Sequence, residues 1–110
     1  MTQGADRGER FIGRFENRDA KTGAPNGDRG YIALALSERG RIPQVVVATA
    51  ATLDELIAEL KGPRRDLMRG GKISFEPPPP FRHRSLGLVA SAAALELPEI
   101  YKVQAALGLP

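Results

Sequence analysis

Residues 31–61, YIALALSERGRIPQVVVATAATLDELIAELK, hold two β signals and one α signal in succession. Tyr31 to Leu36 and Gln44 to Thr49 are short runs rich in apolar or β-branched residues. The polar, Gly- and Pro-containing connection Ser37 to Pro43 lies between them, and the arrangement reads as an antiparallel hairpin. Thr52-Leu53-Asp54-Glu55 then has the spacing of a capping box, in which each end residue satisfies a backbone donor of the other. Leu53, Leu56, Ile57 and Leu60 follow at i, i+3, i+4 and i+7, so an amphipathic helix lies with one face on the hairpin. Gly62 and Pro63 stop it, the glycine by a left-handed cap and the proline by removing a donor.

Working outward toward the N-terminus, residues 10–17 alternate Phe11, Gly13 and Phe15 with Ile12, Arg14 and Glu16, as a half-buried strand does, with a bulge expected at Gly13. Asn17 to Gly30 is dense in turn residues and reads as a long exposed loop. Residues 1–9 lack apolar periodicity and read as a flexible arm.

Toward the C-terminus, Pro63 to Arg69 suits a short helical turn anchored by Leu67 and Met68. Lys72 to Glu76 alternates as a fourth strand, and Pro77 to Pro80 leaves the sheet as extended polyproline. Ser85 to Glu96 is read as a helix through Leu86, Val89, Ala90, Ala93 and Leu97, although Leu86-Gly87-Leu88 also suits a strand. A last helix starts at Pro98, presents Ile100, Val103 and Leu107 on one face and stops at Gly108. The expected fold is a single α+β domain over residues 10–110. It is a two-layer sandwich with a mostly antiparallel three- or four-stranded sheet and helices on one face.

Tyr31 to Lys61, two strands and then a Thr-capped amphipathic helix, resembles the small strand and helix unit of HicB-type antitoxins. The resemblance covers less than a third of the chain and lacks that family's apolar-proline strand connection, so it implies the local fold and no activity.

The 110 residues suffice for one core, and Leu, Ile, Val and Phe make up 27 of them, enough for ordered packing. No apolar run approaches the roughly 20 residues that span a bilayer, and the opening MTQGADRGER has no apolar signal-peptide core, so a cytoplasmic protein is expected. Without cysteine there is no disulfide framework and no thiolate chemistry. His83 is the only histidine, which excludes two-histidine metal sites. Around Gly70-Gly71-Lys72, a phosphate-binding P-loop fails because Asp66 stands where the first glycine belongs and Ile73 replaces the hydroxyl residue. No enzyme activity and no cofactor are expected.

Net charge is only +3, but it is unevenly placed. Residues 1–60 hold eight Lys/Arg and nine Asp/Glu, and residues 85–110 hold one and two. Residues 61–84 hold seven and two, so all the excess sits there. Lys61, Arg64, Arg65, Arg69, Lys72, Arg82 and Arg84, with Phe81 and His83 adjoining, form the candidate surface. Clustered cations gain free energy by releasing the counterions condensed on phosphates, which points to nucleic acid or a nucleoprotein as partner. The bland reading is a solvated surface with local pairs such as Arg65 or Arg69 with Asp66. Pro77 to Arg82 also resembles the proline-arginine ligand of Src-homology 3 domains, although a rigid spacer explains it sufficiently.

The alternative is a protein-binding regulator or inhibitor, an antitoxin-like or anti-defence factor of a bacterial or phage mobile element. It would act through a sheet edge or through Ile100, Tyr101, Val103 and Leu107 of the last helix, which would also serve a homodimer.

Overall fold

The computed structural model describes residues 9–39, 42–82 and 89–110. The elements are β1 (Arg10–Arg18), β2 (Pro25–Arg39), β3 (Ile42–Ala50), α1 (Leu53–Lys61), a 3-10 turn (Arg65–Met68), β4 (Ile73–Ser74), β5 (Phe81–Arg82), β6 (Val89–Ala93) and α2 (Leu97–Leu107). The fold is an α+β sandwich, and among the described residues its sheet has six strands rather than three or four, five of them in the order β3-β2-β1-β6-β5. All pairings on that path are antiparallel; β4 alone runs parallel to β1. No helix among the described residues is long and apolar enough to cross a membrane.

β1 is the central strand because both its edges are used. One edge pairs with β2 from Arg10↔Ala35 to Arg18↔Pro25. The other edge is shared, with β4 beside Arg10 and Phe11 and β6 beside Arg14 to Arg18. Alternation sends Ile12 to the helical face, where it joins Ala33 and Ala48 beneath Leu53, Leu56, Ile57, Leu60, Leu67, Leu95 and Val103. Phe11 and Phe15 point the other way and form a second buried cluster with Ile32 and Leu34. Each such buried side chain contributes roughly 1.5–3 kcal/mol, and over Arg10–Gly13 β1 is buried on both faces, not half-buried.

The N-terminal signal of α1 holds in detail. Thr52 Oγ1 accepts from the Glu55 N–H at 3.2 Å, and Glu55 Oε1 accepts from the Thr52 N–H at 3.1 Å. The cap at Gly62 is not left-handed, since its φ is −122°; its N–H and that of Arg64 both turn back to the Glu59 carbonyl, at 3.2 and 2.8 Å. The left-handed cap occurs at the end of α2, where Gly108 has φ 68°. Beyond α1, the 3-10 turn is tied to β1 by buried Arg10, whose Nε donates to the Leu67 carbonyl at 3.2 Å.

Two non-local expectations are corrected. The Asn17 to Gly30 segment is not a long loop: β1 runs to Arg18, β2 begins at Pro25, and only residues 19–24 connect them. Proline is tolerated there because it is the first residue of the strand, and buried Asn17 donates to Asp28 at 2.7 Å across the pair. The expected helix over 85–96 is instead a strand at Val89–Ala93, because the open edge of β1 offers Arg14 to Arg18 as a ladder. Ser85, the first residue of that expected helix, lies outside the described residues. So does the expected arm over 1–9, except Glu9, whose carbonyl accepts from the Leu36 N–H at 2.8 Å.

Gly13 is not a bulge, since the β1–β2 register runs evenly through Gly13↔Ile32 and shifts only between Glu16 and Arg18. Glycine is required for space. A Cβ there would collide with the Phe11 ring and stand 2.6 Å from the Ala93 carbonyl oxygen, which is strand backbone and cannot move aside. Gly→Ala stabilises a strain-free position by restricting the unfolded chain, so the sign of the effect is diagnostic. Gly13→Ala is expected to lower stability by about 1–3 kcal/mol in urea denaturation, the cost of overpacking.

Candidate functional site

The basic segment from Lys61 onward does not form one continuous surface. Lys61 is exposed on the last turn of α1. Arg64 is half-buried, and its Nη2 donates to the Val47 carbonyl at 3.3 Å, which braces it against β3. Arg65 and Arg69 are both exposed and line a shallow depression with Gly62, Pro63 and Asp66. Lys72 opens onto a separate depression beside Glu9, Glu76 and the proline run. Phe81 and Arg82 form β5, while His83 and Arg84 lie outside the described residues.

The neutralising pairs that a bland surface would have are missing where they matter. Neither Arg65 nor Arg69 has an ion pair with Asp66 or any other described residue. The acids at the start of α1 are occupied: Glu55 completes the capping box, and Asp54 pairs with Lys102 of α2.

The last helix presents a different set from the one read off its periodicity. Val103 is fully buried in the main core and cannot serve a partner, because tertiary packing turns that side inward. Ile100 and Leu107 are half-buried against the same core. Tyr101 is 60 % exposed, and Leu97, one turn earlier, is 58 % exposed. Helical spacing in the sequence groups Leu97 with the preceding segment, whereas it opens α2, and its exposure at i, i+4 from Tyr101 follows from that start.

Sequence reading also missed a cationic cleft at the far end of β1, lined by Arg14, Glu16, Arg18, Arg29, Tyr31 and Ser91 together with small floor residues. Its rim is built by the Tyr31 hydroxyl, which donates to Glu99 Oε2 at 2.6 Å. Glu99 Oε1 accepts the Glu96 N–H at 2.9 Å, and Arg14 stands 4.0 Å away. These contacts hold the Glu99 carboxyl below its ordinary range: the Tyr31 hydrogen bond acts most, then the Glu96 N–H, with Arg14 adding to them and burial opposing. The same bond, with burial and the Glu99 charge, raises the Tyr31 hydroxyl above its ordinary value.

Comparison with known proteins leaves this geometry to stand by itself: no family model, no curated protein and no solved structure matches the chain.

A depressed carboxyl contributes stability that is present above its unfolded pKa and is lost as pH falls through the folded value. A raised phenol contributes below its unfolded pKa and loses its part as pH rises through the folded value. Tyr31→Phe is therefore expected to cost roughly 1 kcal/mol at neutral pH. The gap between wild type and variant should close as pH drops below the glutamate range, as read from urea unfolding across a pH series.

Proposed function

We propose that the protein is a small non-catalytic binding module that contacts nucleic acid, or a nucleoprotein, through the basic surface at the end of α1 and the turn after it. The observation that carries this reading is that Arg65 and Arg69 share one solvent-open depression without an ion-pair partner among the described residues, although Asp66 lies between them. Unpaired guanidiniums have donors available for phosphate oxygens, and their approach releases condensed counterions. Lys61 extends the surface along the helix, and Lys72, Arg82, His83 and Arg84 follow it in the chain. Arg64 is the exception, since reversing its charge would break its bond to Val47.

A mobility-shift assay across a salt series, with random-sequence duplex DNA and single-stranded RNA as probes, tests this reading. Four phosphate contacts give a log-log salt slope of about −3.6 on a duplex, and Arg65→Glu with Arg69→Glu should bring it to about −1.8. Salt-independent binding, no binding, or equal binding by the variant overturns it.

A second reading, a protein-binding regulator or inhibitor of the antitoxin or anti-defence kind, is favoured by one observation: the adjacent exposure of Leu97 and Tyr101 on α2. The sheet edge suits it less, because Pro43 has no N–H to offer on β3 and Arg64 occupies the Val47 carbonyl. If this face makes a homodimer, light scattering will show a dimer that Leu97→Ser with Tyr101→Ser converts to monomer. A wild-type monomer removes that form of the reading.

A further inference from the structure

The helices cover only part of the sheet face that carries Ile12. Beyond Tyr31 no described residue covers the face, and Arg14, Glu16 and Arg18 alternate along β1 with side chains on that side. Glu16 is flanked directly by Arg29 on β2 and by Ser91 on β6. The result is a cleft of about 720 Å³ floored by small residues, among them Gly30, Ala51, Ala92 and Ala93. That volume is in the range of small-molecule sites, roughly 300–1,000 Å³.

Three guanidiniums stand here against two carboxylates, Glu16 in the cleft and Glu99 at its rim, an excess of one positive charge. Glu16 is already taken: its Oε1 accepts from Arg18 Nη2 at 2.9 Å, while Arg18 Nη1 donates to the Gly23 carbonyl at 2.9 Å. Arg18 is thus held in place with donors to spare, since a guanidinium has five. Arg14 reaches only to 4.0 Å from Glu99, whose oxygens are already used by Tyr31 and by the Glu96 N–H. Arg29 has no ion pair with any described residue. An anion with several acceptor oxygens matches the forked donors that Arg18 and Arg29 hold toward the cleft, and it meets the one uncompensated positive charge.

We propose that this cleft binds a phosphate-type oligoanion, at a site distinct from the basic surface beyond α1. The two lie at opposite ends of the sheet. α1 begins after Ala50, which pairs with Tyr31 at the cleft, and runs back toward the 3-10 turn, which is bonded to Arg10 at the other end of β1. The site does not rest on nucleic-acid binding by Arg65 and Arg69, and each can fail without the other.

Titration calorimetry with inorganic tripolyphosphate at low ionic strength tests the site. Wild type should bind one equivalent, Arg14→Gln with Arg29→Gln should weaken binding by about tenfold or more, and Arg65→Glu with Arg69→Glu should bind as wild type does. No binding by wild type, undiminished binding by the Arg14/Arg29 variant, or equal loss in the Arg65/Arg69 variant overturns the proposal. Thermal melting checks that the Arg14/Arg29 variant is folded; if it is not, Ser91→Glu, which adds a carboxylate to the floor, should give the same loss, and wild-type binding by it overturns the site. The source of the anion is read by competition in the Arg65/Arg69 variant. Displacement of tripolyphosphate by a short oligonucleotide supports the site with a phosphodiester strand as occupant, and no displacement supports it with a free oligophosphate.

Discussion

β1 is hydrogen-bonded along both edges and buried on both faces at Phe11, Ile12 and Phe15, and the other elements take their positions from it. Its even register with β2 places Ile12 under α1 and α2, and its second edge is divided between β4 and β6. A slip of one residue would exchange the faces, putting Phe11 and Phe15 under the helices and removing Arg14 and Arg18 from the cleft. The core and the cationic cleft therefore depend on one register. The crowding at Gly13 belongs to the same constraint, because the Phe11 ring and the Ala93 carbonyl both close on the position where β6 joins β1.

The helical layer ends at a polar boundary. Glu99 closes the N-terminus of α2 by accepting the Glu96 N–H, and with its other oxygen it reaches the sheet at Tyr31. Lys102 and Asp54 join the two helices just behind this boundary. Apolar packing lies on one side of it and arginines on the other. At the opposite end, Arg10 and Arg64 are drawn into structural hydrogen bonds, while Arg65 and Arg69 are left to solvent. Arginines close together in the chain thus have different roles, decided by whether a backbone carbonyl lies within reach.

This division explains why the basic surface was legible and the cleft was not. Residues 61–84 concentrate their cations in a short segment, so a charge count finds them. Arg14, Arg18 and Arg29 sit in a region with more acids than bases, and the turn-rich Asn17 to Gly30 segment conceals that Arg29 lies on a strand opposite Glu16. The alternation of residues 10–17 was a usable signal that Arg14 and Glu16 share a face, but it names no neighbour on the next strand.

From the chain alone follow the capped helix over Leu53–Lys61, the hairpin before it, the α+β class and the location of the net positive charge. Each rests on residues within a few positions of one another, where caps, helical spacing and turn chemistry act. Tertiary structure alone decided that Val89–Ala93 is a strand, that β2 reaches back to Pro25, that Val103 is core, and that arginines of β1 and β2 line one cleft. These depend on strand pairing and packing between elements, which no short window of sequence specifies, and an Ala-rich run with no strong preference takes the conformation that an open strand edge demands.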